Sequence, residues 1–197
     1  MQRKISFIWF IIVSSIVGIL FSISIILFPF SPIIPLIIAP ATIVVPQQII
    51  ATLPVRLQIP KIHIDAFVEY LGLTPSGAMD VPAGPDDVAW FDLGPRPGST
   101  GAAVIAGHEG WKDNTPAVFD NLYKLKKGDT VTIEDGTGST TVFVVQKTQI
   151  FGEADNSATV FDSSDGGIHL NLITCEGIWN PATKSYSGRL VVFTDKI

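Results

Sequence analysis

The chain contains one cysteine, Cys175, among 197 residues. A single thiol cannot close an internal disulfide, so a small secreted fold stapled by bridges is excluded. Charge is missing from one stretch: between Ile5 and Val55 there is no Asp, Glu, Lys or Arg. Positive charge is scarce in the remainder. Setting aside Arg3 and Lys4 leaves 11 basic against 18 acidic side chains, a net charge of −7. An acidic surface argues against nucleic acid and against anionic lipid head groups as partners. No internal repeat is evident.

The uncharged stretch is read as a membrane element. Arg3 and Lys4 precede a run of about 24 apolar and uncharged residues, 5–28, long enough as a helix to cross a hydrocarbon core of about 30 Å. The positive residues hold the short N-terminus, 1–4, in the cytoplasm and send the rest outside. A cleaved signal peptide is the competing reading, although its apolar core would be only about 7–15 residues. Residues 29–55 carry six of the 14 prolines. Proline removes a backbone donor and fixes φ, so this segment is expected to be an extended apolar stalk; a re-entrant membrane element is the alternative.

Residues 56–197 read as an extracytoplasmic, mainly β domain. "RLQIP" and "AFVEYL" are strand candidates separated by a turn near Lys61. A turn at Ser76-Gly77 predicts a strand after it. The acidic start of "GPDDVAWF" predicts a one- or two-turn helix over 86–91. "GAAVIAGHEG" reads as a buried strand ending at Gly-His. The spacing of Val118, Leu122 and Leu125, closed by Lys-Lys-Gly, predicts a helix. "DTVTIEDGTGSTTVFVV" is a hairpin turning at Asp135-Gly136, and "IHLNLITC" and "RLVVFTD" add two more strands. Seven or eight short strands with at most two helices predict a closed or nearly closed barrel.

A thiol attacks an amide only with help. Its pKa of roughly 8.5 leaves little thiolate at neutral pH. A neighbouring imidazole can take its proton and later protonate the leaving amine, and a fixed cation can hold the oxyanion. The chain offers Cys175, the histidines 63, 108 and 169, and three outer arginines, 56, 96 and 189. His108 is expected where a strand stops, between Gly107 and Gly110. Arg189 is expected to open the last strand. Period-two alternation puts Cys175 on one face with Ile173 and Asn171, where the strand gives way to loop. Each residue has a plainer reading: a small core thiol, a surface histidine, an arginine paired with an acid. Spacing alone leaves the three-residue site open.

Taken together, "LQIPKIHIDAFVEYLG", "VAWFDLGPRPGSTGAAVIAGHEG", "VFDNLYKLKKGDTVTI", "LNLITCEG" and "GRLVVF" resemble the sortases, membrane-anchored cysteine transpeptidases of bacterial surfaces. The resemblance covers roughly residues 56–197, and "PGSTGAAVIAGH" with "LITC" is its most specific part. It implies a sortase β-barrel with Cys175 as nucleophile, His108 as general acid/base and Arg189 as oxyanion partner. Thr174 matches a position that helps hold the sorting-signal backbone and the oxyanion. The implied reaction cleaves an LPXTG-like signal of an exported protein through a thioester. An amine of a peptidoglycan precursor or of another surface subunit, such as a pilin lysine, then resolves it. His63 stands where relatives carry a small or apolar residue and is expected to be exposed. His169, on the alternating face of Cys175, matches no family role. The acidic segment 152–167 corresponds to the substrate-facing loop. Some sortases bind calcium there, but the ligand spacing is not a calcium loop, so no cofactor or metal is expected. Trp90-Phe91 is expected to pack the short helix. Trp179 is expected either to cover the site or to pack on the last strand. The compact chain is most similar to housekeeping-like, class D, E or F members. A cysteine hydrolase that only cuts, and a membrane-tethered β-barrel binding module with an inert thiol, remain as rival functions.

Overall fold

The computed structural model describes residues 53–182 and 185–197. The expected membrane helix and the expected stalk up to residue 52 lie outside them; the stalk's last residues, Pro54 and Val55, belong instead to the first strand of the domain. No helix among the described residues is long and apolar enough to cross a membrane. Eight strands form the domain: β1 (Pro54–Ile59), β2 (Ile64–Leu71), β3 (Val88–Phe91), β4 (Gly101–Ala106), β5 (Thr130–Asp135), β6 (Thr140–Gly152), β7 (Ile168–Asn180) and β8 (Ser185–Lys196). They close into a barrel in the order β1-β2-β3-β4-β7-β8-β6-β5. One short helix, α1 (Ala158–Phe161), lies between β6 and β7.

Alternation along the strands builds two apolar layers. Leu57, Ile105, Val131, Phe143, Leu170 and Leu172 are among the residues that fill the barrel. Intervening positions Val104 and Val191 face outward and are covered by Val160 of α1, with Met79, Phe91 and Ile173 packed alongside. The outer layer gives the segment 152–167 its seat. Asn171, on that outward face, is buried and donates from Nδ2 to the Val160 carbonyl at 2.7 Å, fixing α1 to β7.

Most expected strands are present, and the β5–β6 hairpin turns as expected: the Asp135 carboxylate accepts from Thr137 and Ser139 N–H groups. Three expectations are corrected. Residues 86–91 do not form a helix. Val88–Phe91 is strand β3, pairing in parallel with β2 through Tyr70↔Trp90, and Val88, Ala89 and Trp90 are buried. Asp87 accepts instead from the Phe67 N–H, at 3.3 Å. Residues 116–129 form no α-helix either. Successive i→i+3 bonds, such as Leu125 N–H to Leu122 carbonyl, make tighter turns with a 3₁₀ segment at Leu122–Lys124. The three-residue spacing of Phe119, Leu122 and Leu125 buries all of them with that tighter period. After Ser76-Gly77 there is only an isolated bridge, Leu73↔Met79.

Candidate active site

The site is set by two features of strand pairing. β4 and β7 run in parallel with Ala106 opposite Ile173. Two residues further along each chain come His108 and Cys175, so the register brings them level at one end of the barrel. β7 and β8 are antiparallel with Cys175 opposite Arg189. Cross-strand partners point to the same face. Cys175 and Arg189 therefore face one narrow cleft; His108 and the edge of Thr174 also line it, and its other wall is Met79, Asp80 and Val81 from the β2–β3 connection.

Gly107 is required for this approach. A Cβ there would lie 2.5 Å from the Phe119 ring and 2.8 Å from the Val118 side chain. Thr174 points into the barrel, is buried, and donates its hydroxyl hydrogen to the Gly107 carbonyl at 2.8 Å. Gly107 N–H donates in turn to the Ile173 carbonyl at 3.1 Å. These two bonds extend the β4–β7 pairing just past the end of β4 and fix the base of His108. The imidazole Nε2 meets the Pro82 carbonyl at 2.9 Å, and the Trp111 ring lies edge-on, 4.7 Å between centroids.

β7 does not end at Cys175, as expected, but continues to Asn180. A bulge between Glu176 and Trp179 bends it just past the thiol, with Gly177 at φ 91. Arg189 does not open β8 but is its fifth residue. Its guanidinium is braced by its own hairpin: Nη1 donates to the Gly188 and Tyr186 carbonyls at 2.7 and 3.1 Å, and Nη2 to the Ser185 hydroxyl at 3.3 Å. A guanidinium has further donors for a ligand.

Burial pushes the Cys175 thiol up; Arg189 pulls it down and Glu109 pushes it up again. Glu109 is itself raised, by burial and by the nearby Glu176 and Asp120, and its Oε2 is buried without a hydrogen-bond partner. A thiol held protonated in this way needs a base close by before it can attack.

His63 is exposed and caps the 3₁₀ turn Pro60–Ile62 in the left-handed region. His169 lines a different cleft from Cys175, with Nδ1 2.7 Å from Asp195 and Nε2 3.0 Å from Asp165. Trp90 fills the barrel rather than packing a helix, whereas Phe91 packs edge-on against Phe161 of α1. Trp179 packs on the last strand, its ring 5.2 Å from that of Tyr186. Sequence reasoning missed Glu109 and the wall 79–82. An acid next to His108 in "GHEG" was the one visible signal for the first. Nothing in "AMDVP" marks the second, because its place depends on a long crossover.

A sortase-domain family model matches residues 57–197. The chain belongs to the sortase family. Sortases are cysteine transpeptidases, and a closed eight-stranded barrel with the four residues named above on one cleft accords with that chemistry. The sortase is similar to sortase C-1 from Actinomyces oris at 25% identity and a TM-score of 0.57, covering 73% of this chain and 74% of that one. It is also similar to sortase A from Corynebacterium diphtheriae (22%, TM-score 0.56, 74% of this chain and 60% of that one). A pilus-related sortase C of Group B Streptococcus shares the fold at 22% identity and a TM-score of 0.55, covering 75% and 68%. A comparison with curated proteins finds no match.

Proposed function

We propose that this sortase cleaves an LPXTG-like sorting signal of exported proteins and transfers them to an amine, through a thioester on Cys175. The observation that carries the reading is the common cleft of Cys175, His108 and Arg189, drawn from three strands or strand ends. The sulfur attacks the scissile carbonyl carbon while its proton passes to His108. The carbonyl oxygen, now negative, is held by Arg189. The C–N bond breaks, the leaving amine takes the proton from His108, and the acyl group stays on sulfur. An acceptor amine then attacks the thioester and gives a proton to His108; the C–S bond breaks, and the departing sulfur takes that proton back as the thiol. Thr174 contributes by holding the cleft wall, and its neighbourhood receives the signal backbone. The reaction so written draws on side chains alone.

The apolar wall of Met79, Val81 and Ile173 suits the leucine and proline of such a signal. The acceptor is a peptidoglycan precursor or a lysine of a surface subunit such as a pilin. Among the described residues no helix lies between Cys175 and Arg189, which favours the compact, housekeeping-like, class D, E or F type. Residues 5–28 anchor the enzyme with its N-terminus in the cytoplasm, the segment from 29 up to β1 forms the stalk, and the barrel from β1 onward works outside the membrane.

Mass spectrometry of the full chain incubated with LPXTG-type peptides tests the reading. A thioester adduct on Cys175, consumed when an amino-acid amide is added, is the expected result. An adduct that only water resolves would make the enzyme a hydrolase, and no adduct at all would remove the catalytic reading.

A further inference from the structure

The imidazole of His108 has one nitrogen already committed. Nε2 lies 2.9 Å from the Pro82 carbonyl oxygen. A carbonyl has no proton to give, so Nε2 carries hydrogen in the neutral and the charged ring alike. In the neutral ring Nδ1 is then bare, and it is the only nitrogen able to take a proton.

The peptide group that fixes Nε2 has a second contact at its other end. The Ala83 N–H, bonded to the Pro82 carbonyl carbon, is shared by the two carboxylate oxygens of Glu69, at 3.3 and 3.4 Å. Peptide N–H and C=O are conjugated through the partial double bond. A negative charge against the N–H therefore pushes electron density toward the carbonyl oxygen, and successive hydrogen bonds strengthen one another. Glu69 belongs to β2, part of the barrel wall, so the charge is presented from a rigid element. The connecting loop is tied on both sides of the peptide, by Asp80 N–H to the Gly72 carbonyl at 3.0 Å and by Val118 N–H to the Pro85 carbonyl at 2.8 Å.

We propose that Glu69 is a positioning residue for His108, acting through the Pro82–Ala83 peptide to hold the ring as its Nε2–H tautomer, with Nδ1 left to exchange protons in the cleft. The claim rests on the reading of His108 as general acid/base. It places an acid behind the histidine, as catalytic histidines commonly require, but with a main-chain amide between the two.

The test uses the full chain in detergent, labelled with 15N-histidine, with His108 assigned by its loss in His108→Ala. Nitrogen chemical shifts at a pH where the ring is neutral distinguish the tautomers directly and need no turnover. The parent chain is expected to show protonated Nε2 and bare Nδ1. Glu69→Ala is expected to mix the tautomers and to lower kcat on a fluorogenic LPXTG-type peptide about tenfold, the effect of one hydrogen bond in the transition state, with KM little changed. Glu69→Gln keeps an acceptor oxygen but loses the charge, and is expected to fall between the parent chain and Glu69→Ala in both tautomer ratio and rate. A protonated Nδ1 in the parent chain, or an unchanged tautomer ratio in Glu69→Ala, overturns the proposal. Failure of the parent chain to form any thioester would instead overturn the transpeptidase reading while leaving the tautomer result standing.

Discussion

Cys175 is a thiol kept protonated by its surroundings, since burial and Glu109 outweigh Arg189. That balance makes its reactivity adjustable from either neighbour. The pH midpoint of Cys175 alkylation by iodoacetamide is expected above that of free cysteine, near 8.5. Arg189→Ala should move it higher still, because the one stabilising charge is lost. Glu109→Gln should move it lower, because a repelling charge is lost. Stopped-flow alkylation from pH 6 to 10 checks all three directions. Arg189 should matter more to the reaction than to the thiol. Its removal is expected to slow thioester formation by about a hundredfold or more, the typical effect of losing one oxyanion donor. Arg189→Lys should recover little, because a point charge on a flexible stem cannot match a guanidinium braced by Gly188, Tyr186 and Ser185. Single-turnover acylation measured by mass spectrometry separates these outcomes.

At the scale of elements, the junction where β4 meets β7 is the least tolerant part of the site. Gly107→Ala would drive a methyl into the Phe119 ring. The expected cost is about 1–3 kcal/mol, as for other overpacked cores. Urea titration should show that loss with an unchanged slope, and His108 should lose activity along with it. The same junction shows what a single sequence makes legible. Strands β1, β2 and β4 to β8 were readable because their alternation or apolar run is local, and "AGH" and "LITC" were readable as ends of such runs. β3 was not. Its two leading aspartates look like a helix start, and only tertiary pairing, parallel with β2 on one edge and antiparallel with β4 on the other, makes 88–91 extended. The turns at 117–125 carried a helical spacing that three-residue periodicity satisfies equally well. Glu69 and Pro82 were illegible as site residues for a similar reason: their neighbour His108 arrives through a crossover whose path no local pattern specifies.

For the whole domain, the pair of carboxylates around His169 predicts how stability follows pH. Burial opposes charge on His169, but hydrogen bonds and charge from Asp165 and Asp195 win, and its folded pKa is raised. Its stabilisation is therefore full below its unfolded value of about 6.5 and fades as pH rises through the folded value. Asp165 is shifted the other way, first by His169 and then by the Gly167 N–H and Ser163. Its contribution is present above an unfolded value of about 3.9 and fades as pH falls through the folded one. Lys127, Lys147 and Asp162 line the same cleft, so the histidine sits in a mixed field. The melting temperature is expected to be higher near pH 6 than near pH 8.5, and His169→Ala should shrink that difference. Thermal melts across this range, parent against variant, check it.

The barrel order also carries a consequence for timing. Histidine and cysteine sit side by side only because β4 and β7 align in the same direction, and Arg189 arrives on the strand that completes the ring. If these three side chains act together as proposed, a growing polypeptide has no working scissors until its final strand has been made and has docked. A copy that stops before β8, even one long enough to include the thiol, is therefore expected to form no thioester.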